Sequence, residues 1–207
     1  MARQTLVTPP CLLYWVKVLG EPVPNKVEPT KSRSWGLEIH FLPEDPDFLR
    51  LSRSTEQVFL EAHGSKAQKG ESPYGWGEVL DKEKIPTGYM RFRVGRNETS
   101  KQGRKFDPPL VIDAAKRRWP ENLQIGNGSI GKVAYTIFPW KNAFSKCGVS
   151  LGLEGVQVLE HVPYGGSAMD AFSEEDAPTG ATAAIADQPV QSTPFGDGPV
   201  SEEEVPF

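Results

Sequence analysis

The chain has 207 residues and a formal net charge of -4 from 23 Lys and Arg against 27 Asp and Glu, with 38% apolar residues, 19 Pro and 20 Gly. That composition suits a loop-rich β protein with one real core, and it argues against a helical bundle, a disulfide scaffold and a membrane span, since no apolar run is long enough to cross a bilayer. The only cysteines, Cys11 and Cys147, and the three histidines, His40, His63 and His161, lack metal-ligand spacing, so no metal or other cofactor is expected and both cysteines read as small buried hydrophobes.

In chain order, strand-like runs alternate with Pro and Gly punctuation through residues 1–165. Leu12 to Leu19 is β-branched and aromatic enough for a first strand, followed by a loop from Val23 to Pro29. Ser34 to Phe41 alternates polar and apolar residues and predicts a second strand. The turn from Leu42 to Asp47 leads into one helix, about Asp47 to Ala67, on which Phe48, Leu51, Val58, Phe59 and Ala62 form an apolar stripe. Ser72 to Gly77 reads as a Gly-rich loop that carries Tyr74 and Trp76.

Tyr89 to Gly95 predicts a strand with Arg91 and Arg93 on one face and Phe92 and Val94 on the other. Pro109 to Asp113 predicts another, and Asp113 to Trp119 a short basic helical turn. After the turn at Gly126 to Ser129 come two long strands, Ile130 to Pro139 and Gly148 to Val158. Short strands with one inserted helix, and no internal repeat, predict an all-β-dominated fold: an OB-fold, a five-stranded, partly open barrel with elaborated loops.

Cations and aromatics are interleaved along this body, the pattern needed to follow a phosphate backbone while stacking bases. Lys31, Arg33 and Trp35 lie close together, Arg91 and Arg93 share a strand face, and Lys132, Trp140, Lys141 and Lys146 occupy the last two strands and their connection. Trp35 reads equally as a stacking ring or as core. Tyr74 and Trp76 are expected at an exposed lip of a groove, and Lys101, Arg104 and Lys105 form a loop cluster that either joins it or is simply solvated. Phe92 and Tyr135 are in phase with apolar neighbours and are expected inside.

Gly126 to Gly131 fits G-x-G-x-x-G, yet the β-branched run after it cannot open a helix, so a dinucleotide site is rejected. No nucleophile elbow, P-loop or paired histidine ligands occur, and an enzyme is not expected.

Residues 166–207 differ sharply from the rest. They hold nine acids, Asp170, Glu174, Glu175, Asp176, Asp187, Asp197, Glu202, Glu203 and Glu204, and no Lys or Arg, so all basic residues and 18 acids fall in residues 1–165, a body near +5. With Pro178, Pro189, Pro194, Pro199 and Pro206 among small residues, this tail is expected to be disordered, with a random-coil reach of roughly 35 Å. Two parts follow: a domain at 1–165 and an acidic tail at 166–207. Glu202, Glu203 and Glu204 before Val205, Pro206 and Phe207 suit an apolar pocket rimmed by basic groups on a partner protein. An opposite-signed tail on a basic body is the pattern of nucleic-acid binders whose tail competes for the same surface.

Val111-Ile112-Asp113, Ile125 to Ser129, Lys132-Val133, Pro139-Trp140-Lys141, Gly148 to Leu153 and Val156-Gln157-Val158 resemble, in order and spacing, the single-stranded DNA-binding proteins of phages, as does the acidic tail ending in Phe. The resemblance covers the last third of the body and the tail, and more loosely the first hundred residues. It implies an OB-fold that coats single-stranded DNA during phage replication, recombination and repair. It also implies a tail that recruits phage or host replication proteins such as a polymerase or helicase-primase. The expected setting is soluble and cytoplasmic, without a membrane, and the reading leaves monomer and homodimer open. A scaffolding adaptor with a partner-docking tail and an RNA-binding OB module are the alternatives.

Overall fold

The computed structural model describes residues 4–24, 32–100 and 102–163. Lys31, Lys101 and the whole acidic tail with Glu202 to Phe207 lie outside the described residues, as does the expected tail disorder.

Among the described residues, nine strands and one helix follow the punctuation of the sequence: β1 (Leu6–Val7), β2 (Cys11–Lys17), β3 (Val23–Pro24), β4 (Arg33–Phe41), α1 (Pro46–His63), β5 (Trp76–Leu80), β6 (Pro86–Asn97), β7 (Leu110–Ile112), β8 (Ser129–Lys141) and β9 (Cys147–Glu160). Five of them close a barrel in the order β2, β4, β6, β9, β8 and back to β2. The pairs β2–β4, β4–β6, β8–β9 and β8–β2 are antiparallel, and β6–β9 is parallel. This is the OB-type barrel expected. Its seams are short: β2 meets β8 only from Cys11–Gly131 to Leu13–Ser129, and β6 meets β9 at Val94–Leu151 and Gly95–Gly152.

Period-2 alternation builds the interior. Trp35, Leu37, Ile39 and Phe41 of β4 point inward with Phe92 and Val94 of β6, Val133 and Tyr135 of β8, and Leu151 and Leu153 of β9, all buried. Phe92 and Tyr135 are core as expected. Cys11 and Cys147 are free and buried, and burial raises the Cys11 thiol to about 11. Gly126 to Gly131 runs into β8, a strand, so its glycines open no helix.

The helix ends earlier than the sequence pattern predicts. Asp45 accepts a hydrogen bond from the Asp47 amide with Pro46 at the first turn, and Gly64, at φ 76°, closes the other end. Its buried face is Phe48, Leu51, Ser52, Thr55 and Phe59, whereas Ala62 is exposed. Thr55 is accommodated because its hydroxyl donates to the Ser52 carbonyl. The expected helical turn after Asp113 is a tight reversal: the Trp119 amide donates to the Val111 carbonyl and the Arg117 amide to the Asp113 carboxylate. The loop read at Val23 contains β3, and the Gly-rich loop read at Ser72 to Gly77 runs into β5 at Trp76. β2 carries a bulge between Tyr14 and Lys17 with Trp15 at φ 52°.

Candidate nucleic-acid interface

The outer faces of β6, β9 and β8 form an open groove. One basin, about 600 Å³, is lined by Arg93, Arg96, Phe106, Thr136, Phe138 and Trp140 among others. A second, about 350 Å³, adjoins it through shared Arg93, Trp140 and Ser150, and extends past Arg91 to Trp76. Cations and rings therefore line one continuous surface.

Trp140 is held at the junction by glycine. A Cβ on Gly148 would come within 2.3 Å of the indole Cζ2, and one on Gly70 within 2.8 Å of Cη2, so the ring lies against bare backbone from two segments. Residues 68–75 are fastened to β9 by three backbone bonds: the Cys147 amide to the Gln68 carbonyl, the Gly70 amide to the Cys147 carbonyl, and the Val149 amide to the Pro73 carbonyl. One side of the Trp140 ring thus rests on a shelf supplied by the segment after α1.

That shelf also decides the fate of Tyr74 and Trp76. Neither is a free lip. Tyr74 packs edge-on against Phe59 at 5.3 Å, with the Lys69 ammonium 5.1 Å from its ring centre. Trp76 sits on β5, edge-on to Phe48 at 5.7 Å and stacked near Tyr74 at 6.1 Å; it half-covers the core and lines the smaller basin with its remaining surface. Trp35 is buried at 4% exposure, its indole N–H donating to the Gly20 carbonyl, which removes it as a stacking ring.

Arg91 and Arg93 stand together because Glu38, opposite Arg93 on β4, accepts hydrogen bonds from both guanidinium groups through Oε1. The other carboxylate oxygen lies 3.3 Å from His40 Nε2, and the His40 ring stacks on Tyr14 at 4.1 Å. Burial by itself would raise the Glu38 carboxyl, but His40, Arg93 and Arg91 together outweigh it and hold the group down at about 2. Arg93 keeps 73% of its side chain exposed while Arg91 keeps 26%, so Arg93 is the cation better placed to meet a ligand.

Arg96 and Phe106 were not read from the sequence as site residues. Arg96 reaches the Leu153 carbonyl and the Glu154 carboxylate, at 2.7 Å, and stands 5.4 Å from the Phe106 ring, with Arg104 5.9 Å from the same ring. The arm after β6 folds back through the Phe106 amide to the Glu98 carbonyl and the Ser100 amide to the Arg104 carbonyl, which brings Phe106 over the groove. Among the described residues, Arg96 Nε and Trp76 Nε1 are buried without a hydrogen-bond partner, and both belong to groove-lining side chains.

Among the described residues, the other predicted cations line neither basin. Lys105 is exposed on this arm, and Lys141 is exposed just past Trp140. Arg33 donates to the Pro22 carbonyl and to Glu21 and lines neither basin. Lys132 lies at the far end of β8, beside an apolar hollow lined by Val7, Leu110, Ile112 and Ala134. It shares the outward face with Trp140 but not the site.

No family model matches the sequence, and no curated protein matches it. The fold is similar to gp2.5, a single-stranded DNA-binding protein encoded by bacteriophage T7, at a TM-score of 0.56 and 19% identity over 85% of this chain and 97% of that one. It is also similar to the single-stranded DNA-binding protein from bacteriophage Enc34 in complex with ssDNA, at 0.58 and 10% identity over 78% and 89%. A C-terminal truncation of the Enc34 protein gives 0.54 and 12% over 77% and 88%. At such identities the likeness is one of fold.

Proposed function

We propose that the chain binds single-stranded DNA without reading its sequence, in the groove across β6, β9 and β8, and acts as a binding protein rather than an enzyme. The observation that carries this reading is the continuous surface on which Arg91, Arg93 and Arg96 alternate with Trp76, Phe106, Phe138 and Trp140. Cations follow phosphates and rings stack on bases of any identity, so the combination favours affinity without sequence preference. The shared fold with single-stranded DNA-binding proteins of two phages supports the same reading.

In a phage setting the protein coats strands exposed by replication, recombination and repair in the host cytoplasm. The acidic residues 166–207 compete with DNA for the cations, and Glu202 to Phe207 recruit replication proteins such as a polymerase or helicase-primase. The chain has the composition for this division of labour, a body near +5 and a tail of nine acids without a base. No helix among the described residues is long and apolar enough to cross a membrane.

The test is a fluorescence titration of the full chain with oligothymidylate, mixed-sequence single strands, duplex and RNA at several salt concentrations. The expected result is tryptophan quenching by every DNA single strand and weaker binding to duplex and RNA. Removing residues 166–207 should tighten binding most at low salt, where screening is weak. A chain that ignores single strands, or one that prefers RNA, would overturn the reading.

A further inference from the structure

The connection between β8 and β9 presents Phe144 at 81% exposure. Single exposed apolar side chains are common and by themselves mean little. Three features set this one apart. The first is rigidity. Asn142 Oδ1 accepts from both the Phe144 and the Lys146 amides at 3.0 Å, the Asn142 amide donates to the Lys146 carbonyl at 3.0 Å, and the Ser145 amide donates to the Asn142 carbonyl at 3.1 Å, with Ser145 left-handed at φ 60°. The backbone that carries the ring is already ordered, so the turn loses little freedom on meeting a ligand.

The second feature is alignment. Thr136, Phe138 and Trp140 are the outward residues of β8 that line the groove, and the ladder ends one pair beyond Trp140, at Lys141–Cys147. The turn therefore begins roughly 7 Å past Trp140, at about 3.3 Å per strand residue. The third is charge. Lys141 and Lys146 flank the turn, both are exposed, and among the described residues neither forms a salt bridge. An exposed ring on a turn bracketed in the chain by two exposed lysines suits a nucleobase and its adjoining phosphates better than an apolar protein surface.

We infer that Phe144 is a stacking residue that extends the groove beyond Trp140, holding one further base of a single strand, with Asn142 as its positioning residue. The inference rests on the single-strand-binding reading above.

The experiment measures full-chain affinity for labelled oligothymidylates of increasing length in wild type, Phe144→Ala, Phe144→Leu and Phe144→Trp. On strands long enough to pass Trp140, both Phe144→Ala and Phe144→Leu should weaken binding roughly 5- to 150-fold, the range of one lost base stack. On the shortest strands that bind, they should match wild type. Phe144→Trp should restore affinity, because an aromatic face is what the site requires. Asn142→Ala should show a smaller loss with the same length dependence.

Equal affinity of Phe144→Ala and wild type at every length, or full affinity of Phe144→Leu, overturns the inference while leaving the groove reading intact. A changed oligomeric state of Phe144→Ala in sedimentation, with DNA binding untouched, overturns it in favour of a protein contact. A wild-type chain that binds no oligonucleotide overturns the groove reading and this inference with it.

Discussion

The inner and outer faces of the barrel use the same residue types for opposite purposes. Inside, Trp35 is buried in the core and its one polar side-chain atom donates to the Gly20 carbonyl. Outside, Trp140 lies against the bare backbone of Gly70 and Gly148 and keeps part of its ring on the groove. An indole thus becomes core or contact surface according to what faces it across the strand, and neither ring announces its role by identity.

The largest effect should come from the inner face. Trp35→Ala removes a buried indole and should cost about 3–5 kcal/mol of stability, lowering the melting temperature by about 10 °C or more. Its binding should fall only as its folding falls, which calorimetry beside a DNA titration resolves. A variant as stable as wild type would contradict the burial of Trp35.

The outer face should respond the other way. Trp140→Ala should leave melting nearly unchanged and cost about 1–3 kcal/mol of single-strand affinity. Gly148→Ala tests the same point without touching the ring: the added methyl occupies the indole's place, so the ring must move and affinity should drop alongside. Full affinity in Gly148→Ala would show that the ring's placement is immaterial to binding.

Part of this contrast was legible in the sequence. Alternation placed Phe92 and Tyr135 inside, but Trp35, in phase with Leu37, Ile39 and Phe41, stayed open between core and stacking ring because a cationic run precedes it, and the same rule would have settled it. The long strands β4, β6, β8 and β9 and the helix start were readable because alternation, an acidic cap and Pro46 act locally. β5 was not, because Pro73, Gly75 and Gly77 mask a strand held in place by β6. Arg96 and Phe106 were illegible for a related reason: their meeting depends on how the arm after β6 folds back, and no periodicity encodes that. Among the described residues, the convergence of Arg91 and Arg93 was visible, while the Glu38 beneath them was not.

Glu38 offers a second contrast, between a largely enclosed acid and the two cations it gathers. Its carboxyl is held at about 2 against an ordinary 4.5, so the charged form is favoured in the folded state. The stability it contributes is then fully present above about pH 4.5 and lost as pH falls from there toward 2. Glu38→Gln should shrink the acid-induced loss of melting temperature over that window, and should leave neutral-pH DNA binding steeper in salt because the anion that partners Arg91 and Arg93 has gone. An unchanged acid limb in the variant would show that the cluster does not couple to folding.

The smallest effect separates two cations that the sequence presents alike. Arg93 and Lys132 both face outward from barrel strands, yet Arg93 borders both basins of the groove and Lys132 borders the hollow of Val7, Leu110 and Ile112. Each phosphate neutralised on a single strand contributes about 0.7 to the slope of log affinity against log salt. Arg93→Ala should therefore flatten that slope by about 0.7 and weaken every sequence alike, while Lys132→Ala should leave it where it was. Arg93 also partners Glu38, so a melting curve taken beside each titration separates binding from folding. Equal flattening by the two variants would mean that a strand wraps past the bulge at Ala134 and Tyr135 to the other end of β8, and that the groove as drawn is too short.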